Sequence, residues 1–414
     1  MEKVKISDVS YEGEGVGRID GKVVFVPYAL KDEIVTIEKI KENNKFIKGK
    51  IVSIENVSKD RVEAICPFYS ICGGCNYQHT TRKNELDIKK INLEKELKKI
   101  GYQSDIKINT CDKRDGYRNK IKLKVKDFKL GYINSNENKF VEINKCLLID
   151  EDMNILLSQV QTFIENERIK EIEGITIRGQ KQSYLICFHL KKETRISENI
   201  LKKYLKNDKI GVFCEFFDKN KRNLEYIFGL KNLDYEYENL KCSIDIDSFL
   251  QVNNEVANAL YKKVLENICA ENVINAYSGT GVLTAMISKA ASKVFGIEMQ
   301  KSSHIKAEEL KKNNKLENMF NILGKCEDKI FDVFEKEEIN SIVLDPARAG
   351  CHQRVLEKIL ESNVKKIVYV SCNPSTMVRD LFVLSKGYDI KVVEIFDMFP
   401  CTANIEVYTV LEKR

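Results

Sequence analysis

Over its first 55 residues the chain alternates apolar and polar positions with a period of two. GKVVFVPYAL and DEIVTIEKI, separated at Lys31, predict strands, and KFIKGKIVSIE predicts another after the turn at Asn43 and Asn44. Gly13, Gly15 and Gly17 precede the first clear strand, where the chain of a small barrel would bend. A cysteine-rich stretch occupies residues 61–80, and NELDIKKINLEKELKKIGY predicts a helix ending at Gly101. The pattern from 115 to 235 is mixed. DGYRNKIKLKVKDFKLGYI predicts a hairpin and ISENILKKYLKN a helix, with strands between. From about 238 strands and helices alternate, as in a parallel sheet with crossover helices. NNEVANALYKKVLENIC is a helix, ENVINAY a strand running into SGTG, and a helix through Ala290 follows. KVFGIE, SIVLDPA, KKIVYVSCNP, YDIKVVEIFDM and EVYTVLEKR are further strands. The expected domains are a β-barrel over 1–58, a central α+β domain over 59–237 and a Rossmann-like α/β domain over 238–414.

Composition narrows the class. A chain of 414 residues with 43% hydrophobic and 31% charged content can bury two or three cores and is neither disordered nor fibrous. No window approaches the roughly 18 apolar residues of a membrane-spanning helix, and MEKVKISDVSYEGEG lacks the apolar core of a secretory signal. The 13 cysteines are odd in number and accompany no export signal, so metal-binding or catalytic thiols in the reducing cytoplasm are expected. Of the net charge of +6, residues 1–130 carry about +8 and the remainder about −2. A basic front half suits an anionic partner, nucleic acid being the commonest; a lysine-rich genome would produce the same bias.

Three clusters carry chemistry. Cys66, Cys72 and Cys75 fall within CPFYSICGGC, and Cys146, in INKC, is the natural fourth ligand of a closed metal site. Pro67 and the Gly73–Gly74 pair suit an iron–sulfur cluster, while zinc stays open. In INAYSGTGVLTAMISKA, Gly279 and Gly281 free the backbone for a ligand, but Thr284 replaces the third glycine of a dinucleotide fingerprint. Glu298, ending KVFGIE, is placed to accept from ribose hydroxyls, which favours S-adenosylmethionine over a nicotinamide; a plain surface carboxylate is the alternative. Cys372 follows the apolar strand IVYVS and precedes Asn373 and Pro374, where open α/β sheets place their ligands. Asp345, in SIVLDPARAG, occupies the equivalent edge one strand away, where its carboxylate could orient cofactor or substrate.

The run EGEGVGRIDGKVVFVPYAL resembles the TRAM domain, an oligonucleotide-binding (OB)-like barrel of RNA-modifying enzymes. LDPARAG, YVSCNPSTMVRDL and DMFPCTANIEVYTVLE resemble the RNA (uracil-5-)-methyltransferases. CPFYSICGGC, GYRNKI, SFLQVN and the glycine loop extend the likeness to the TRAM-bearing, cluster-containing branch that modifies 23S ribosomal RNA. The resemblance implies an S-adenosyl-L-methionine methyltransferase domain behind an OB-like barrel and a central domain. It implies that Cys372 is a nucleophile adding to uracil carbon 6 and that Glu406 is the base. Gln251, Tyr277, Glu298 and Asp345 match cofactor-holding positions, beside Gly279 of the glycine loop. Cys66, Cys72, Cys75 and Cys146 match ligands of a [4Fe–4S] cluster. The basic hairpin at 111–130, with Tyr117 and Arg118, is expected to meet phosphates or stack on splayed bases. A cytoplasmic monomer acting on RNA is expected, with 23S rRNA ahead of tRNA. The chain departs from the family at Asn404 (usually His), Asn275 (usually Asp) and Ala347 (often Pro). An iron–sulfur oxidoreductase and a catalytically inactive RNA-binding protein are the rival expectations.

Overall fold

The computed structural model describes all residues except 112, 135–137, 220 and 238. Residues 2–9 form one interrupted strand, Glu2–Lys5 and Asp8–Val9. Its first half pairs with Ile34–Glu42 and its second with Glu14–Ile19. Phe46–Asn56 and Lys22–Pro27 join those two neighbours, so the sheet closes on itself as the expected barrel around Val4, Val24, Val35 and Ile47. Gly15 and Gly17 lie inside Glu14–Ile19, not ahead of the strands. A Cβ at Gly17 would stand 2.7 Å from the Lys5 carbonyl oxygen, so the glycine lets two walls of a narrow barrel approach.

The central sheet has seven strands. The predicted hairpin, Lys120–Lys126 with Lys129–Asn134, buries Ile121 and Leu123 and exposes Lys122, Lys124 and Lys126. Where the sequence predicts only strands, helix Glu151–Glu167 covers the apolar face. Asp150 caps it by accepting from the Met153 N–H, and Met153, Leu156, Leu157, Val160, Phe163 and Ile164 form one buried stripe.

The C-terminal sheet runs Met319–Leu323, Lys293–Glu298, Asn272–Ala276, Ser341–Leu344, Lys366–Ser371, Glu406–Lys413, Tyr388–Phe396 and Lys107–Asn109. Its strands are nearly continuously apolar because both faces are covered. Val273, Val294, Val343 and Val368 face one helical layer; Ile274, Phe295, Ile342 and Ile367 face the other. Helix Arg82–Lys98 sends Leu93 and Leu97 into the second layer, and Lys107–Asn109 extends the sheet edge beside Tyr388–Phe396. Both segments fall within the stretch predicted to be central. The predicted division at 237/238 lies between the paired strands Leu233–Tyr237 and Leu240–Ile244, which pack into the first layer. No described helix is long and apolar enough to cross a membrane.

Candidate active site

Five of the residues singled out in the sequence line one edge of the C-terminal sheet. Ser371 pairs antiparallel with Val407, a register that sets Cys372, just past its strand, opposite Glu406, the first residue of its own. Asp345 follows Leu344, whose neighbour is Tyr369. Tyr277 follows Ala276, and Glu298 ends the next strand. This is the carboxyl edge of the parallel strands, where crevices open in such sheets.

Cys372 occupies the turn between its strand and helix Pro374–Leu384. Asn373 caps that helix by accepting from the Ser375 N–H at 3.2 Å, and Pro374 starts it. Burial pushes the Cys372 thiol above its usual range, and Glu406 and Asp345 push the same way; Arg348 opposes them. Burial pushes the Asp345 carboxyl up to about 7. Glu406, only 2% exposed, is raised well above the usual carboxylate range by burial and then by Asp345, against Arg348. Two neighbouring carboxyls short of water hold a proton near neutrality.

Arg348 is the cation of this cleft and was not singled out in the sequence, although LDPARAG contains it. Its guanidinium donates to Asn404 Oδ1 at 3.2 Å, and its carbonyl accepts from Asn373 Nδ2 at 2.9 Å. Asn404 therefore supplies an acceptor that orients Arg348, a task a neutral histidine could also perform. The rest of the 345–351 loop is held by buried Asp380, which accepts from the Cys351 N–H at 2.7 Å and the Tyr369 hydroxyl at 2.6 Å.

Glu298 is fixed by two backbone donors, Gly279 N–H at 2.9 Å and Gln300 N–H at 2.6 Å. Gly281 has φ 81°, and a Cβ there would stand 2.7 Å from the Ala307 Cβ, so a larger residue would displace helix Lys301–Asn314. Tyr277 also has positive φ, 62°, and its hydroxyl accepts from the His352 N–H at 3.4 Å. Asn275 donates to Thr284 at 2.8 Å, joining the strand to the following helix. Gln251 is buried, and its carbonyl accepts from Asn119 Nδ2 at 2.9 Å at the seam with the central sheet.

Cys66, Cys72, Cys75 and Cys146 are free, half-buried thiols close enough to perturb one another. Burial raises Cys72, Cys75 and Cys146, Cys75 to about 12. Gly74 N–H donates to Cys72 Sγ at 3.3 Å and Gln78 Nε2 to Cys75 Sγ at 3.4 Å, while Arg118 lies beside Cys146. Among the described residues, three ligating atoms lie within 4.8 Å of one another only at Cys187, His189 and Glu215. There Arg222 already neutralises Glu215 at 2.7 Å. Tyr117 does not project for base stacking. It is half-buried and donates to the Pro400 carbonyl at 3.1 Å, with Cys75 and Cys401 as neighbours.

A buried ionic hub ties the segment before Glu406 to the front of the chain. Lys89 bridges Glu85 at 2.9 Å and Asp397 at 2.7 Å. Arg82 pairs with Asp397, and Arg114 with Glu85 at 3.0 Å. Glu85 also accepts from the Cys401 N–H at 2.8 Å, and the Cys401 carbonyl accepts from the Asn76 and Tyr77 amides at 2.8 and 3.0 Å.

Residues 81–414 match the family model described as tRNA (Uracil-5-)-methyltransferase, and residues 2–52 match the TRAM domain. A protein of Clostridium acetobutylicum named an uncharacterized RNA methyltransferase is 32% identical over 99% of this chain and 96% of its own. One of the same description from Caldanaerobacter subterraneus is 31% identical over 99% and 98%. The crystal structure of Pyrococcus abyssi tRNA (uracil-54, C5)-methyltransferase in complex with S-adenosyl-L-homocysteine matches with a TM-score of 0.82. It covers 99% of this chain and 100% of that one at 22% identity, a likeness of fold.

Proposed function

The chain belongs to the tRNA (uracil-5-)-methyltransferase family and is an RNA methyltransferase, and from that premise we propose that it methylates carbon 5 of a uridine in 23S ribosomal RNA through a covalent Cys372 adduct. The observation that carries this reading is the facing pair Cys372 and Glu406 at the carboxyl edge, with Asp345 and Arg348 beside them.

Carbon 5 of uracil is a weak nucleophile. The Cys372 thiolate adds to carbon 6, and the electron pair of the 5,6 double bond moves into an enolate over carbons 5 and 4 and oxygen 4. Carbon 5 then takes a methyl cation, so the carbon 5–methyl bond forms as the sulfur–methyl bond breaks. S-adenosylmethionine, when bound, supplies that methyl on a sulfonium and leaves as S-adenosylhomocysteine. Glu406 as carboxylate removes the carbon 5 proton, the double bond re-forms, and the carbon 6–sulfur bond breaks to regenerate the thiolate. Glu406 finally releases its proton to water. Arg348 steadies the negative charges that pass between thiolate and carboxylate. Glu298, Gly279, Tyr277, Asp345 and Gln251 would hold the cofactor.

Cys66, Cys72, Cys75 and Cys146 would hold a [4Fe–4S] cluster. Four convergent thiols, two N–H···S donors and Arg118 fit an anionic sulfur-ligated group. The preference for a cluster over zinc rests on the likeness of CPFYSICGGC to the cluster-containing branch, with one zinc ion the alternative. That four-cysteine set beside the barrel supports ribosomal RNA as substrate. The family description and the Pyrococcus abyssi protein of like fold make tRNA the alternative. We take the protein to act as a cytoplasmic monomer, with the barrel and central domains over 1–58 and 59–237 serving the catalytic domain over 238–414.

The mechanism predicts different failures for the two facing residues. Glu406→Ala should accumulate a protein–RNA adduct that survives denaturing electrophoresis, because addition precedes the missing step. Cys372→Ala should form neither adduct nor product. A Glu406→Ala protein that completes turnover at the wild-type rate would remove Glu406 as the base.

A further inference from the structure

The barrel is docked on the catalytic domain by a small apolar core drawn from four segments: Val9 of the barrel, Tyr77 of the cysteine-rich stretch, Ile88 of helix Arg82–Lys98, and Ala403 three residues before Glu406. Polar contacts fix the same seam. The Ser10 carbonyl accepts from Asn92 Nδ2 at 3.2 Å, the Glu12 carbonyl accepts from Asn76 Nδ2 at 3.1 Å, and Asn76 Oδ1 accepts from the Ala403 N–H at 3.0 Å. Lys95 pairs with Asp8. The Gly13 N–H closes the turn onto the Ser10 carbonyl at 2.9 Å, and Gly13 has φ 82°, a conformation that suits glycine.

Tyr11 stands on this turn. It is 37% exposed, so part of its ring is open beside the cleft. The hydroxyl lies within the electrostatic reach of Cys372, Arg348, Glu406 and Glu96, so the side chain is turned toward the carboxyl edge of the C-terminal sheet. Glu96 in turn accepts from Ser375 Oγ at 3.2 Å, in the first turn of the helix that follows Cys372. Tyr11, 361 positions from the nucleophile in sequence, thus stands on a turn pinned both to helix Arg82–Lys98 and, through Asn76, to the segment leading into Glu406.

Resting on the methyltransferase reading, we propose that Tyr11, delivered by the N-terminal barrel, is a residue of the uracil pocket that closes the cleft beside Cys372 and donates its hydroxyl hydrogen to the uracil carbonyl on which enolate charge develops. The groups around it favour that role. Burial and the nearby thiol and carboxyls push the phenol up to about 12, so it keeps its proton at working pH. A neutral donor aimed at a developing oxyanion stabilises the transition state more than the ground state. The aromatic face supplies a rigid wall for a flipped base. On this account the barrel contributes to turnover as well as to RNA affinity.

The test compares full-length wild type, Tyr11→Phe and Tyr11→Ala, each loaded with its metal group. Methyl transfer is measured at saturating S-adenosylmethionine, RNA Kd by filter binding, S-adenosylhomocysteine Kd by calorimetry, and adduct formation on RNA carrying 5-fluorouridine. Tyr11→Phe, which removes only the hydroxyl, should lower kcat by about a hundredfold, within the range for loss of an oxyanion donor, and Tyr11→Ala by at least as much. S-adenosylhomocysteine Kd should stay within about twofold in both, RNA Kd within about twofold in Tyr11→Phe, which keeps the ring, and the adduct should form more slowly in step with kcat. Unchanged S-adenosylhomocysteine Kd also reports an intact fold. Wild-type kcat in both variants, or losses wholly accounted for by weaker RNA binding, overturns this inference alone. A wild type that forms no adduct and no methylated uridine overturns the inference together with the methyltransferase reading.

Discussion

Asp345 and Glu406 share one water-poor cleft, and each carboxylate raises the cost of ionising the other. As the proposed base, Glu406 must be ionised to take the carbon 5 proton, so its raised affinity for protons becomes a pH requirement. Release of methylated RNA from the Cys372 adduct should climb with pH at values above the ordinary carboxylate range, because burial and Asp345 raise Glu406. A base in the ordinary carboxylate range would instead give a plateau above about pH 5. The apparent value belongs to the pair. Asp345→Asn removes the charge that lifts Glu406 and should move the climb to lower pH. A profile flat from pH 5 to pH 9 in the wild type would contradict the assigned roles. At this scale the sequence was partly legible. Cys372, Glu406 and Asp345 stand in motifs whose strand ends can be read directly. Arg348 and Tyr11 could not be ranked that way, because their importance comes from neighbours that are distant in the chain.

Helix Arg82–Lys98 carries the load between domains. Leu93 and Leu97 pack under the C-terminal sheet, while Lys89 sits between two fully buried carboxylates. Lys89→Met removes the cation that Glu85 and Asp397 share. Breaking a buried ion network in this way costs about 3–5 kcal/mol. Urea unfolding should show that loss, and methylation should fall because Asp397 and Cys401 anchor the chain leading into Glu406. Unchanged stability would mean that Arg82 and Arg114 suffice for both acids. The sequence pattern predicts this helix nearly to its ends, since Thr81 caps it and Gly101, with φ 76°, follows its end. It does not predict which sheet the helix joins, because a stripe of leucines fits any apolar face. Lys107–Asn109 was invisible for a different reason. Three residues on a parallel edge carry no period. Glu151–Glu167 does carry the helical period, and the capping Asp150 marks its start.

Across the whole molecule, three sheets converge on a seam formed by the cysteine-rich stretch. Its cysteines lie beside Arg118 and Cys146 of the central segment, and Asn76 and Tyr77 hold Cys401. A cluster held there would brace barrel, central sheet and catalytic edge together. Anaerobically isolated protein should carry about four irons per chain. Cys75→Ser should lose most of that iron and melt at lower temperature, while iron-free wild type of undiminished stability would contradict a bracing role. The most direct test of the central claim uses anaerobic protein, S-adenosylmethionine and unmodified ribosomal and transfer RNA, with methylated nucleosides mapped by mass spectrometry of RNA fragments. The account predicts 5-methyluridine at defined positions in 23S rRNA, absent with Cys372→Ala. A methyl group on another atom, or no 5-methyluridine in either RNA with the metal group intact, would contradict it.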